Sequence, residues 1–568
     1  LTFDYERARW SWDLERVRAK ASTENVLDLM VGKLHRLPPD TRSALQQLAC
    51  LGNAADLTVL SMVLGTSAAQ VHTDLSEAVR LELVERLAAS YTFVHDRVRE
   101  AAYSLIPVEL RVETHLRIGR LLAARTPPEQ REEAIFEIVN QLNRGAALIT
   151  TREEREQLAE LNLIAGQRAK RSTAYAEALT YLSAGAALLG EDRWERQHEL
   201  AFTLELCRAE CEFLTGALTD AEERLTSLAT RAVTTVESAT VTCLRVDLYV
   251  TLDRSDRAIA VGLEYLRPLG LEWPPHPTED EARHEYERIW SQLGTRTIEE
   301  LLSLPLMSDP AALATLNVLT KLGPPALYTD MNLFTLIVCR AVNLSLERGN
   351  CDGSCVHYTW LGRVIGARFG DHQAAYRFGQ LGYDLVEQRG LKRFQAETYL
   401  LFGHIVMPWT RHVRDGRDLL RRAFETANQV GDLTYAAYSC NMMITNLLAA
   451  GDPLVEVQRE GEHGLAFAQK ARFGLVIDII ATQLALVRTL RGLTPKFGCF
   501  DDAQFDELRI ERRFSVNADL VRAESWYWIR KLQVRFLAGD HTAAIEAASR
   551  AQRLLWTSLS LFETAEYE

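Results

Sequence analysis

The chain has 568 residues, 47% hydrophobic and 25% charged, enough to bury a large core without a disulfide framework or a structural metal. Its formal net charge of −13 argues against sequence-independent nucleic-acid binding, which is driven by Lys and Arg displacing counterions from phosphates. The nine cysteines form no framework and suit a reducing compartment; Cys207/Cys211 sit one turn apart on a predicted helix and Cys351/Cys355 in a predicted loop.

Leu and Ala dominate, Gly and Pro are sparse, and alternating strand-like runs are few, so the expected fold class is all-α. Residues 1–36 read as helical, with the pair Trp10 and Trp12 and an apolar stripe over Asn25–Leu34; this stretch, 1–37, is the first predicted segment. Pro38 and Pro39 break the pattern. Residues 38–106 then predict three amphipathic helices (Thr41–Leu51, Leu57–Leu64, Ser67–Leu81) followed by two short apolar runs, Leu83–Leu87 and Tyr91–Val94. Three helices and a small β-hairpin are the winged-helix pattern.

After Pro107 the pattern is helical almost to the end. The turn-like pairs Gly370-Asp371, Gly451-Asp452 and Gly539-Asp540 precede Ala-rich helices at spacings of 81 and 88 residues. Each gap fits two helix-pair repeats of about 40 residues. Small residues at Ala174, Ala178 and Ala186, and a turn at Gly216, repeat the style and allow close helix packing. The expected architecture is a long α-solenoid of tetratricopeptide-like helix pairs over 107–267 and 331–568, interrupted by a Pro-rich connecting segment at 268–330. The longest apolar stretch, Phe473–Val487, is broken by Asp478 and predicts a buried helix and not a membrane span. Early charges at Arg7, Arg9, Asp13 and Glu15 argue against a signal peptide, so the expected location is cytoplasmic. The chain starts at Leu1 and stops inside the amphipathic run Leu559–Glu568, so both ends read as cuts from a larger protein.

The run Phe93–Pro107 (FVHDRVREAAYSLIP) resembles a hallmark of bacterial multi-domain signalling kinases. Further runs are similar to that family in the expected order: Asn25–Leu37, His115–Leu122, Phe136–Gly145, Leu271–Pro277, Asn343–Cys355 and Ala551–Tyr567. The resemblance implies a serine/threonine kinase and a signal-transduction NTPase upstream, then a winged helix and tetratricopeptide-like region, and often a GAF domain and a histidine kinase downstream. It implies ATP or ADP on the upstream NTPase and no cofactor on this segment. Gly32-Lys33 does not supply the phosphate loop, because Leu27 stands where the first Gly is needed and Leu34 where Ser or Thr is needed. No kinase Asp-Phe-Gly or His-Arg-Asp set is present, so no catalytic site is expected in this chain.

His95-Asp96 is the foremost candidate site. The pair resembles the Met-His-Asp motif of plant immune receptors, which implies that His95 contacts a nucleotide phosphate while Asp96 orients it; the plainer reading is that Asp96 caps the next helix. Cys351, Cys355 and His357 offer three zinc-type ligands without an evident fourth, and burial as small hydrophobes is the plainer reading. His372, His404 and His412 lie near Arg411, Arg414, Arg417, Arg421 and Arg422, either a site for an anionic partner or a solvated face. Trp360, Trp409, Trp526, Tyr527 and Trp528 either line a groove for a peptide or small molecule or pack the core.

The leading expectation is a non-catalytic segment that receives a protein or small-molecule signal and passes it to NTPase and kinase domains outside the chain. The alternative is the arm of a maltose-activator-like transcriptional regulator with its DNA-binding domain outside the chain. Direct DNA contact by the winged helix itself is disfavoured, because Asp74, Glu77 and Glu82 outweigh Arg80 on the helix that would enter the groove.

Overall fold

The computed structural model describes residues 2–4, 9–11, 26–517, 520–558 and 561–568. These residues are mostly helical, with a few short strands and connecting loops, and fall into two compact units, Leu1–Arg231 and Ala232–Glu568. The division lies at Arg231/Ala232, and the Pro-rich run at 268–330 belongs inside the second unit.

The first unit opens with β1 (Thr2–Asp4) paired antiparallel to β2 (Arg9–Ser11), Phe3 opposite Trp10. This corrects the helical reading of residues 1–36 over these positions. Thr, Phe and Trp favour a pleated backbone when they alternate with polar residues. Trp12 lies outside the described residues. The helix Val26–Leu34 follows as expected.

Pro39 starts the helix Pro39–Leu51 at its first position, where a missing N–H costs no hydrogen bond. The helix Leu57–Leu64 is capped by Asp56, whose carboxylate accepts from Thr58 N at 2.7 Å. Ser67 caps Ala68–Arg80 in the same way. The hairpin is β4 (Val84–Arg86) and β5 (Ser90–Phe93), and its other edge pairs with a strand that the periodicity did not reveal, β3 (Ala54–Asp56), to give the order β3-β5-β4. Three residues of Ala-Ala-Asp are too short for a period-2 signal. Leu45, Leu48, Leu60, Leu75, Tyr91 and Phe93 form the core of this module.

A buried hydrogen-bond relay ties the module to the helices after it. Tyr103 Oη meets His115 Nε2 at 2.9 Å, His115 Nδ1 meets Gln141 Oε1 at 2.6 Å, and Gln141 Nε2 donates to Cys50 O at 2.8 Å. Burial pulls the His115 pKa down, which keeps the ring neutral. Arg117 adds a donor to Val63 O at 3.0 Å and one to Gln47 Oε1 at 2.7 Å. The helices Val108–Arg125 and Arg131–Gly145 cross where Gly145 faces Leu116; a Cβ there would lie 2.6 Å from Leu116 Cβ. The pairs Arg152–Arg171 with Tyr175–Leu188, and His198–Thr215 with Leu218–Ala229, continue the array. Ala178 and Ala186 are buried between helices, whereas Ala174 precedes the helix as its N-cap and is only half-buried.

The second unit continues as antiparallel helices from Thr235–Thr251 to Phe562–Tyr567. Three of its turns share one chemical device. Gly370, Gly431 and Gly539 adopt left-handed φ of 67°, 76° and 76°. The following Asp371, Asp432 and Asp540 accept from Ala374 N, Tyr435 N and Ala543 N to cap the next helix. Gly451 is also left-handed, but Asp452 turns to Arg417, which donates to it at 2.7 Å.

The proline-rich stretch is a correction to the expected connecting segment. Asp309 caps and Pro310 opens the helix Pro310–Thr329, which carries Pro324 and Pro325 inside it and buries Leu316, Val318, Leu319 and Leu322. Glu279–Leu293 packs on Met331–Arg348. Burial of these apolar faces outweighs the hydrogen bonds that the prolines cannot make. Phe473–Val487 is the buried helix Gly474–Leu490 as expected, with Asp478 matched by Arg513 at 2.7 Å. Among the described residues no helix is long and apolar enough to cross a membrane.

The helix crossings set opposite outcomes for two glycines. Gly145→Ala forces the Leu116 backbone away and is expected to cost about 1–3 kcal/mol. Gly32→Ala, with nothing within 4 Å of the new Cβ, is expected to stabilise the exposed helix by about 0.5–1 kcal/mol. Urea denaturation of the two variants checks both signs.

Candidate functional site

His95 is the cap of the helix Asp96–Ser104: its Nδ1 accepts from Arg97 N at 3.1 Å. The capping assigned to Asp96 is thereby corrected. Asp96 occupies the first helical position, where its charge faces the positive end of the helix dipole. Both side chains are exposed. With Nδ1 occupied as an acceptor, the neutral ring must carry its proton on Nε2.

Cys351, Cys355 and His357 do not converge. Cys351 precedes the helix Asp352–Val364 as its N-cap, and Cys355 and His357 lie within it, so the loop expected for the cysteines is corrected. Residues two apart on a helix point to nearly opposite sides. Cys355 Sγ faces Leu391 O at 3.7 Å, while His357 Nε2 meets Thr320 Oγ1 at 3.0 Å. Burial drives the His357 pKa down to about 3. Among the described residues, only Cys499, Asp501 and Glu507 bring three metal-type ligand atoms together. There Glu507 also meets Lys531 at 3.0 Å, and its backbone N donates to Asp501, so the cluster closes a loop onto a helix.

The arginines near 411–422 tie helices to one another. Arg417 donates to Asp452 and Asn446, Arg414 to Ala450 O, and Arg422 to Glu387 and Tyr399. Arg411 stacks over Tyr376 at 5.3 Å. Arg421 is exposed. The histidines separate: His412 Nδ1 accepts from Arg414 N, His372 stacks on Trp409, and His404 is buried with neither ring nitrogen partnered among the described residues. Burial lowers the His404 pKa to about 4. Trp526, Tyr527 and Trp528 are core residues, whose polar atoms bond Ser558, Glu511 and Glu524.

The second unit holds a site that no local pattern announced. An open pocket of about 560 Å³ is lined by residues from Asp253 to Thr557, distant in the chain but all within this unit. Arg522 stacks on Tyr328, 4.2 Å from the ring centroid, and its Nη1 donates to Tyr328 Oη at 2.8 Å. Its Nε is buried and has no acceptor among the described residues. Tyr438 and Trp556 complete the aromatic wall. Arg363 is buried nearby, 5.5 Å from the Trp360 ring, and burial together with the Arg522 charge lowers its pKa to about 9. Trp360 Nε1 donates to Glu397 at 3.3 Å. Burial raises Glu397 from its ordinary 4.5 to about 7.

No protein-family model matches the chain. It is similar to a hybrid signal transduction histidine kinase, G, from Dictyostelium discoideum, at 23% identity over 85% of this chain. The chain spans 16% of the length of that relative. A solved structure of a signal transduction ATPase with numerous domains and a tetratricopeptide repeat sensor, from Pyrococcus horikoshii, superposes over 93% of this chain and 68% of its own, with 13% identity and a TM-score of 0.42. The chain has an all-α fold with a few short strands, and a signalling histidine kinase is among the proteins it is similar to.

The raised carboxyl predicts a pH dependence. The folded state keeps the Glu397 proton between its ordinary 4.5 and about 7, whereas the unfolded chain releases it. The Glu397 contribution is therefore full below that window and is lost as pH rises through it, while the buried neutral His115, His357 and His404 act in the opposite sense. Glu397→Gln keeps an acceptor for Trp360 and cannot ionise. Denaturation at a series of pH values is expected to show the stability of wild type relative to the variant falling as pH rises from 4.5 through about 7, a difference in which the other buried groups, including Glu563, cancel.

Proposed function

We propose that this chain is a non-catalytic regulatory segment of a larger signal-transduction kinase, receiving a partner or ligand on its helical repeats and coupling it to NTPase and kinase domains outside the chain. The observation that carries this reading is the alignment of 85% of the chain with 16% of a hybrid histidine kinase. A segment of that share is one part of a multi-domain machine. The module 39–106 reads as a winged helix from its helix and strand order, and the Tyr103–His115–Gln141–Cys50 relay supports its movement together with the helices that follow. A signal then acts as a population shift between arrangements of the whole protein. ATP or ADP belongs to the NTPase outside the chain, and the setting is the cytoplasm.

Within this reading His95 contacts a phosphate of the nucleotide. The cap on Nδ1 supports it, because it fixes the ring and leaves an exposed Nε2–H as donor. Two measurements test the proposal. The isolated chain is expected to show no ATP turnover above background, and turnover lost on mutating its own residues sinks the non-catalytic reading. In the full-length protein, His95→Ala and His95→Asn are both expected to weaken ADP binding about tenfold. Asn restores the cap but not the reach. ADP affinity at the wild-type level in His95→Asn reduces His95 to a helix cap.

A further inference from the structure

We propose that the cavity of the second unit is a binding site for a small organic anion built on a planar ring, held by the open edge of Arg522 against Tyr328, Tyr438 and Trp556.

Other arginines of this molecule show what that edge takes. Arg120 donates from Nε and Nη2 to the two oxygens of Glu154, Arg377 does so to Glu299, and Arg224 to Glu212. The side-on edge of a guanidinium matches the spacing of two oxygens on a carboxylate or phosphate. On Arg522 the opposite nitrogen, Nη1, is the one engaged, by Tyr328. Its buried Nε has no acceptor and no ion pair to Arg522 is present among the described residues. A buried N–H without an acceptor is costly, and an arriving anion removes that cost.

The rest of the wall selects the body of the ligand. Tyr328 lies under the guanidinium, with Tyr438 and Trp556 beside it, surfaces on which planar rings stack. The Trp556 side of the cavity is solvent-accessible, with that indole 49% exposed. The volume of about 560 Å³ is that of a small-molecule site. Asp253 and Asp256 also line it, but both are exposed, where solvent and salt screen them. Arg363, whose pKa burial and the charge of Arg522 pull down to about 9, is a second cation close to Arg522 and adds to the pull on an anion.

This site rests on the sensing role proposed above and names its ligand chemistry. The test uses 2-naphthoate as the probe and 2-naphthylmethanol as its uncharged counterpart, titrated into the 568-residue chain by calorimetry. The naphthoate is expected to bind one-to-one and at least about tenfold tighter than the alcohol. Arg522→Met and Arg522→Lys are both expected to erase that difference, Lys because it keeps the charge but not the two-pronged edge. Tyr328→Leu is expected to weaken both probes together. Circular dichroism identifies any variant that fails to fold, and either Arg522 variant alone decides the point. Equal binding of the two probes, no saturable binding, or unchanged naphthoate affinity in a folded Arg522 variant overturns the site. Anion binding that leaves the kinase output of the full-length protein unmoved instead overturns the sensing role and leaves the site standing.

Discussion

No helix of this chain can bury its apolar face alone, and the approach of each helix to the next sets everything built upon them. Where two helices touch through Gly145 and Leu116, or through Gly382 and the Cys355 carbonyl, a single methyl group would collide with backbone. Close contact of this kind multiplies weak dispersion terms and fixes the crossing of each pair. The turns contribute the second constraint: a left-handed Gly followed by a capping Asp ends one helix and starts another within a few residues. Together they convert a string of marginal helices into rigid pairs.

That rigidity has a polar cost at the centre of the second unit. Glu397, His404 and Arg363 are buried where a simple core would hold leucine. Burying them lowers stability unless each finds partners; Trp360 supplies one to Glu397, whereas the two ring nitrogens of His404 find none among the described residues. A unit held together so firmly at its crossings can tolerate that deficit. The same deficit makes its interior sensitive to protonation and to an entering ligand, which links packing to the regulatory role proposed above.

The candidate site divides along the same line. His95 was visible in the sequence because one local run, Val94-His95-Asp96, carries a resemblance, yet the assignment of the cap shifted by one residue once backbone angles decided which residue stood outside the helix. Cys351, Cys355 and His357 looked like a ligand set because their spacing is short, but a helix turns neighbours two apart away from each other. Arg522 and Tyr328 were not legible at all. Each sits in an ordinary amphipathic helix, and they meet across 194 residues of chain.

The sequence by itself determined the all-α class, the helix positions, the three helices and hairpin of the N-terminal module, and the buried nature of Phe473–Val487. Those follow from periodicity, capping residues and composition, which act over a few residues. Only the tertiary structure decided that β3 joins the hairpin, that Pro310, Pro324 and Pro325 lie within a packed helix, and that Arg522 and Tyr328 meet in one pocket. These depend on which distant surfaces meet. Pairing of a short strand, tolerance of proline and convergence of side chains are settled by the burial that long-range packing provides, and no local pattern encodes that partner.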